Sequence, residues 1–266
     1  IAFSPDGRYL LTANEGEPSD DYKIDPEGSF TLIDLTNGTQ NATVKQIMLN
    51  NVKLPAGARI VKPGSSFEED AEPEYIAFSP NGKMAYATLQ ENNAIATIDI
   101  ASAKVVSVSG LGFKNVSRIS HDVSNKDGGI NMKRWPVLMM YQPDAIVAYE
   151  TKGSTYLVTA NEGDAKDYDG FSEETRVGKL KLDKTMFPNA NELQKKENLG
   201  RLKTTKTLGD TDGDGDHDII YAYGGRSFSI WKENGTLVFD SGNAFENIIS
   251  KRSPEMFNAN GPSKID

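Results

Sequence analysis

The hydrophobic and polar positions of this chain alternate in many short runs. Residues 94–100 read Ala, Ile, Ala, Thr, Ile, Asp and Ile. Successive side chains of a strand point to opposite faces, so this pattern predicts β-strands buried more on one side than the other. Clusters of Pro, Asn, Asp and Gly between the runs predict turns. Only residues 189–198 are helix-like, and the residues after Asn247 read as loop, so the pattern predicts an all-β chain.

Two sequence echoes indicate internal repeats. Residues 1–8 (IAFSPDGR) return as residues 76–83 (IAFSPNGK), and residues 11–16 (LTANEG) resemble residues 158–163 (VTANEG). The first echo predicts a β-hairpin with a tight Pro-Asp/Asn-Gly turn. Units of about 70 residues, with long inter-strand loops, predict the radially repeated four-stranded sheets of a β-propeller.

We therefore predict four visible blades in a single β-propeller segment over residues 1–266. The approximate bounds of the blades are 1–49, 74–109, 143–208 and 216–249. The chain starts without Met and in the middle of a motif, which favours a fragment of a longer chain and a larger propeller.

An acidic loop at residues 209–218 (GDTDGDGDHD) carries the strongest chemical signal. It reads D-x-D-x-D-G-x-x-D, and Ca²⁺ takes six to eight oxygen ligands from such loops, with Gly permitting the sharp turn. Two carboxylates about 5 Å apart repel by roughly 3 kcal/mol at an effective dielectric near 20, which favours a bound cation. The alternative is a solvated turn whose side chains splay into water. The predicted Ca²⁺ ligands are Asp210, Asp212, Asp214, Asp216 and Asp218.

The flanks of this loop distinguish it from a helix-loop-helix calcium hand. Position 12 is Tyr221, where such a hand has a bidentate Glu, and residues 219–223 (IIYAY) read as a strand. The spacing is similar to that of the calcium loops in the hairpins of integrin-type propeller blades. That resemblance implies that Asp216 ligates through its carbonyl and the other four aspartates through their side chains.

Charge and composition narrow the class of partner and the compartment. The net charge of −9 argues against nucleic-acid binding, which normally requires a basic face. No apolar run reaches the roughly 18 residues that span a bilayer, so no membrane span is predicted in this segment. The chain has no Cys, and it has four N-x-S/T sequons, at Asn37, Asn41, Asn115 and Asn234. The sequons and a calcium loop suited to millimolar Ca²⁺ predict a secreted or cell-surface glycoprotein.

Several strings together resemble one family. They are LTANEGEP at 11–18, EPEY at 72–75, ANEGDA at 160–165, DYDGFSEE at 167–174 and GGRSFSIW at 224–231. These strings resemble the choice-of-anchor I family, which includes cell-surface glycoproteins of mineralising tissue and bacterial secreted proteins labelled alkaline phosphatase. The resemblance implies a secreted or surface-anchored propeller that continues beyond this segment.

Further acidic residues follow equivalent strands of the first and third units. Glu72 and Glu74, before an innermost strand, and Asp144 in the comparable position are predicted to face the central channel or its rim. Loops after equivalent strands leave a propeller on the same face, so these side chains are predicted to converge on a second metal or ligand site. The alternative is ordinary turn chemistry with solvated charge. The candidate residues are Glu15, Asp20, Asp21, Glu72, Glu74, Asp144, Glu162, Asp164, Asp167 and Asp169.

Two functional hypotheses follow. The preferred one is an extracellular calcium-binding propeller with a structural, adhesive or surface and matrix interaction role, whose partners are divalent cations and extracellular matrix or surface proteins. The alternative is a secreted metal-dependent phosphoesterase, in which an ion held by the acidic loops activates water. His121 and His217 are the only histidines, so a His-based triad or zinc site is not expected, and no catalytic residue is assigned.

Overall fold

The strands of the protein form four sheets. The structure is a computed structural model that describes residues 1–50 and 52–258, so the last eight residues of the predicted segment lie outside the described part. Three of the sheets are four-stranded and antiparallel, and we call them blades 1, 2 and 3; the fourth has five strands. The all-β class predicted from the alternating pattern is confirmed.

Blades 1 and 2 are meanders in which consecutive strands pair. Blade 1 contains β1 (Ala2–Phe3), β2 (Tyr9–Asn14), β3 (Ser29–Asp34) and β4 (Thr43–Met48). Blade 2 contains β5 (Pro73–Phe78), β6 (Met84–Leu89), β7 (Ala94–Asp99) and β8 (Lys104–Gly110).

The repeated hairpin has the same turn in both blades. The Gly7 amide donates to the Ser4 carbonyl at 2.9 Å, and the Gly82 amide donates to the Ser79 carbonyl at 2.8 Å. Both glycines have a positive φ, +72° and +67°, which residues with a Cβ rarely adopt. Local turn chemistry therefore explains why the two octapeptides are alike.

The other two sheets are built from interleaved segments. Two short strands, β9 (Phe113–Asn115) and β10 (Leu138–Met140), precede blade 3. Blade 3 contains β11 (Pro143–Thr151), β12 (Ser154–Asn161), β16 (Ser227–Lys232) and β17 (Leu237–Asp240). The connection from β12 to β16 contains β13 (Glu174–Arg176), β14 (Lys203–Thr205) and β15 (Tyr221–Ala222). The five-stranded sheet has the order β13-β14-β15-β10-β9, with β10 and β15 parallel.

The predicted blade bounds 143–208 and 216–249 therefore differ from the structure. The second half of blade 3 comes from the predicted fourth blade, because β16 pairs with β12 along its whole length. Polar contacts between side chains fix this pairing: Asn161 Nδ2 donates to Ser227 Oγ at 2.9 Å and to Ser229 Oγ at 2.7 Å. The indole nitrogen of Trp231 donates to Thr159 Oγ1 at 2.9 Å. These residues are far apart in the sequence, so repeat spacing could not show that they pair.

The blades stack face to face, as in a β-propeller, with blade 2 between the other two. One core joins Leu11 and Phe30 of blade 1 to Ile76 and Phe78 of blade 2. A second core lies between blades 2 and 3. Its buried residues are Ala77, Tyr86, Ile95, Leu111, Tyr141, Ile146, Leu157 and Trp231. Alternate residues of β5 thus serve two interfaces, which explains the strongly apolar pattern of this blade.

Helices are few and short in the described residues. They are α1 (Phe67–Asp70), α2 (Ala190–Leu193) and α3 (Ala244–Arg252). The surface helix expected within 189–198 is present as α2. The loop predicted after Asn247 is wrong over its first residues, because α3 extends to Arg252. No helix in the described part of the chain is long and apolar enough to span a membrane.

Candidate metal centres

The aspartate loop connects β14 to β15 within the five-stranded sheet. The two strands are antiparallel, so the loop closes a hairpin, as predicted, and no helix adjoins it. The amides of Asp218 and Ile219 both donate to the Gly209 carbonyl, at 2.8 and 3.1 Å. The loop therefore leaves and re-enters the sheet at one narrow point, which holds its acidic residues in a small volume.

Hydrogen bonds within the loop orient the aspartates, and Asp210 and Asp218 each accept two. Asp210 accepts the amide of Gly213 at 2.7 Å through one oxygen and the amide of Gly215 at 3.0 Å through the other. Asp218 Oδ2 accepts both the amide and the hydroxyl of Thr211, at 2.8 and 2.6 Å. These bonds, the hydroxyl's first, lower the pKa of Asp218, so the carboxylate form is favoured.

Two groups of carboxylates in this region have the spacing of metal ligands. Oxygens of Asp210, Asp212 and Asp218 lie within 4.8 Å of one another, and a second group with this spacing contains Asp183, Asp216 and Asp218. Hard oxygen donors at such distances fit Ca²⁺. Asp214 belongs to neither group; its carboxylate accepts the amide of Asp216 at 3.0 Å.

Asp183 was not predicted as part of this region. It lies 35 residues before Asp218, and a parallel bridge between Leu182 and His217 brings the two segments together. The Asp183 amide donates to the His217 carbonyl at 3.1 Å. Lys181 Nζ lies 3.4 Å from Asp216 Oδ2. Partial burial, Asp214 and Asp183 raise the pKa of Asp216, and Lys181 opposes this shift. No local sequence signal marks Asp183.

A second acidic site is a cavity of about 150 Å³ where loops of all three blades meet. Six carboxylates and one ammonium group line it, together with Tyr168 and Ala165. The charged residues are Glu15, Glu17, Glu72, Glu74, Glu91, Asp164 and Lys166. We call this the acidic cavity. Four of the predicted second-site residues, Glu15, Glu72, Glu74 and Asp164, are thus brought together.

Equivalent loops build the acidic cavity. In each blade, the loop after the second strand supplies a carboxylate: Glu15 and Glu17 follow β2, Glu91 follows β6 and Asp164 follows β12. Glu72 lies between α1 and β5, and Glu74 is the second residue of β5. The reasoning that equivalent loops share a face therefore applies to all three blades. The same comparison of loops could have found Glu91. Gln90 and Glu91 directly follow β6, just as Glu15 directly follows Asn14, the last residue of β2.

A buried network of ion pairs adjoins the acidic cavity and shares Glu72 and Lys166 with its lining. Lys166 Nζ lies 2.8 Å from Glu72 Oε1 and 4.0 Å from Asp70 Oδ1, and all three residues are buried. Arg59 forms a bidentate pair with Glu173, with N–O distances of 2.5 and 2.7 Å. The sequence patterns gave no indication of this network, because its members come from separate loops.

The pKa values of two carboxyl groups of the cavity are strongly raised. Burial, followed by the charges of Glu91 and Asp144, raises the pKa of Glu74 to about 9. Burial, followed by the charge of Glu72, raises the pKa of Glu91 to about 8. Excess negative charge in a partly dry space causes both shifts.

The remaining predicted second-site residues lie around the cavity without lining it. Asp144 begins β11 and is close enough to raise the pKa of Glu74. Glu162, directly after β12, is exposed. The Asp20 carbonyl accepts the Gly170 amide at 2.8 Å, and Asp21 pairs with Lys23. Asp167 bridges to Ser172, and Asp169 is exposed.

Two loops meet beside the cavity through backbone atoms and aromatic rings. One contains Asp20 and Asp21, and the other contains Asp167 and Asp169. Tyr22 packs edge-on against Tyr168 and Phe171, with 5.4 Å between ring centroids in each case. Gly170 lies directly against the backbone of Asp21. The contact between the first and third units is therefore aromatic rather than ionic.

Comparison with known proteins identifies relatives of this chain. The Strongylocentrotus purpuratus mesenchyme-specific cell surface glycoprotein is 29% identical over 245 residues, which are 82% of this chain and 31% of that protein. The chain thus spans about a third of the length of this relative.

Solved structures resemble the chain only weakly. Periplasmic gluconolactonase PpgL of Pseudomonas aeruginosa is 14% identical, with a TM-score of 0.30, over 65% of this chain and 37% of the enzyme. The β-propeller domain of Cps50 (Swd1) from Myceliophteria thermophila is 13% identical, with a TM-score of 0.26, over 90% of this chain and 70% of that domain. Scores this low carry no inference about function.

The family model gives the clearest relationship. The model of the choice-of-anchor I domain matches residues 1–266, which is the whole chain. This match agrees with the strings at 11–18, 72–75, 160–165, 167–174 and 224–231. The chain belongs to the choice-of-anchor I domain family.

Proposed function

We propose that this chain is a calcium-stabilised β-propeller domain of a cell-surface or secreted protein, with a structural or adhesive role. The observation that carries the calcium part is the set of oxygens of Asp210, Asp212 and Asp218 within 4.8 Å of one another in a hairpin loop. The cell-surface part is supported by membership of the choice-of-anchor I family and by the cell-surface glycoprotein relative.

The loop needs a cation for electrostatic reasons. Three carboxylates share a small volume, and Lys181 is the only cation paired with a loop aspartate among the described residues, on Asp216. Ca²⁺ bound by Asp210, Asp212 and Asp218 would neutralise them and fix the hairpin between β14 and β15. The backbone carbonyl of Asp216 and water are the further oxygen ligands expected for an ion of this size.

The stabilisation by bound calcium depends on the ratio of the free Ca²⁺ concentration to the dissociation constant. An ion that binds only the folded chain stabilises it by about 2.7 kcal/mol when its free concentration is 100 times its dissociation constant. This is a large part of the net stability of a domain, about 5–15 kcal/mol. Calcium thus has a measurable effect on the folded state even without any catalytic role.

Thermal unfolding in CaCl₂ and in EDTA tests the proposal. We expect a higher melting temperature in CaCl₂, and a smaller difference in the double variant Asp210→Asn, Asp218→Asn. The matched control is Asp169→Asn, an exposed aspartate outside the loop, which should keep the full calcium effect. Equal melting temperatures in CaCl₂ and EDTA for the unsubstituted chain would refute the proposal.

A further inference from the structure

The acidic cavity has more carboxyl groups than its protein partners pair. Its one lysine, Lys166, is already paired with Glu72 at 2.8 Å and lies 4.0 Å from Asp70, outside the cavity lining. No ion pair among residues 1–50 and 52–258 involves Glu74 or Glu91. The lining therefore contains six carboxyl groups and one lysine.

Glu91 provides an independent indication of a ligand. Its side chain lines the cavity, the residue is only 5% exposed, and its Oε2 atom has no hydrogen-bond partner in the part of the chain that the structure describes. A buried carboxylate oxygen without a donor costs free energy that a bound cation would recover.

The turn that presents Glu91 is held firmly. The Glu91 carbonyl accepts Arg59 Nε at 2.6 Å. Asn93 Nδ2 donates to the carbonyls of Gly57 and Gly112, at 2.9 and 2.7 Å. These bonds anchor both sides of the residue, so the turn cannot easily move to release the carboxylate to solvent.

We propose that the acidic cavity binds a hard divalent cation that keeps part of its water shell. The lining offers carboxylate oxygens and no His or Cys, which is the ligand chemistry of Ca²⁺ and Mg²⁺. Within the described residues, no three of these carboxylates present oxygens within 4.8 Å of one another, so water must supply some of the ligands. The volume of about 150 Å³ has room for an ion and several waters, since roughly 10–15 Å³ suffices for one water.

The cavity is open to the ion from one side. Glu15, Glu17 and Asp164 are exposed at its rim, whereas Glu72 and Glu91 are buried at its floor. A cation thus passes exposed carboxylates before it reaches carboxyl groups that are shielded from solvent. The bound ion would tie together loops of blades 1, 2 and 3, and this site is separate from the aspartate loop.

Calorimetric titration of a chain whose aspartate loop is disabled tests the proposal alone. The background is Asp210→Asn, Asp218→Asn, and the probes are CaCl₂, MgCl₂ and putrescine in separate titrations. We expect one remaining binding event with Ca²⁺ or Mg²⁺, and the two metal titrations show which ion is preferred. Adding Glu91→Gln, which keeps the side-chain size, should weaken binding by about 10- to 100-fold.

Two further variants complete the design. Glu17→Gln changes an exposed rim residue, so it should fold normally and weaken binding even if Glu91→Gln does not fold. Asp169→Asn, outside the cavity, should leave binding unchanged. Three results would overturn the proposal. In the first, neither metal binds the background chain, and in the second, putrescine binds and the metals do not. In the third, the metal affinity of the Glu91→Gln and Glu17→Gln variants equals that of the background. None of these results depends on calcium binding at the aspartate loop.

Discussion

The bidentate pair of Arg59 and Glu173 gives a sharp test of what holds the five-stranded sheet against the blades. Arg59 lies in the connection between blades 1 and 2, and Glu173 immediately precedes β13. Their side chains are 2% and 0% exposed, and the two N–O distances are 2.5 and 2.7 Å. Replacing Glu173 by Gln leaves a buried guanidinium without its carboxylate.

The expected cost follows from this burial. Removing one partner of a buried ion pair typically destabilises a protein by about 3–5 kcal/mol, because the other charge remains in a dry environment. The adjacent residue provides a matched control: Glu174 pairs with Lys203 at 2.5 Å, but the lysine side chain is 58% exposed. An exposed pair of this kind contributes about 0–1 kcal/mol.

Urea denaturation of the two variants measures the difference. Glu173→Gln should lower the free energy of unfolding by about 3–5 kcal/mol, and Glu174→Gln by less than about 1 kcal/mol. The double variant Arg59→Met, Glu173→Leu should recover much of the loss, because it leaves no unpaired buried charge. Equal free energies for Glu173→Gln and Glu174→Gln would refute the reasoning.

Three other predictions concern the loops and the acidic cavity. Gly170→Ala should lower stability by about 1–3 kcal/mol in urea denaturation, because a Cβ there would lie 2.2 Å from the Asp21 carbonyl oxygen; a change below about 0.5 kcal/mol would contradict this. In EDTA, the free energy of unfolding of the unsubstituted chain should fall as pH rises from about 5 to 9. The pKa of Glu74 is raised from 4.5 to about 9 in the folded state, so in this pH range the folded chain keeps a proton that the unfolded chain loses. Glu74→Gln should reduce this slope, and an identical slope would argue against the raised pKa. Hydrolysis of p-nitrophenyl phosphate with Ca²⁺ or Mg²⁺ should be no faster for the unsubstituted chain than for Glu91→Gln, whereas turnover lost in a folded Glu91→Gln variant would favour the phosphoesterase hypothesis.

The parts of the fold that were predictable from the sequence are those set by local chemistry. The Pro-Asp/Asn-Gly turns at residues 5–7 and 80–82 and the alternation at 94–100 led to the strands of blades 1 and 2. Blade 3 was not predictable, because its middle strands β12 and β16 are joined through a connection that contains three strands of another sheet. A strand's partner at such a separation depends on side chains such as Asn161 and Ser229, whose pairing has no local signature.

The candidate sites follow the same division. The aspartate loop was recognisable because its residues are consecutive. Glu15 and Asp164 were grouped because their loops follow equivalent strands, and Glu72 and Glu74 because they lie at the start of an innermost strand. Asp183 and Lys166 were missed for a physical reason: each meets its acidic neighbours only after distant segments fold together, through the Leu182–His217 bridge and the loop before β13.

The central claim is that Ca²⁺ occupies the aspartate loop, and anomalous diffraction from crystals grown in CaCl₂ tests it most directly. We expect an anomalous peak about 2.3–2.6 Å from carboxylate oxygens of Asp210, Asp212 and Asp218. A loop with no anomalous peak and with these three side chains turned into solvent, in crystals grown at millimolar Ca²⁺, would contradict it.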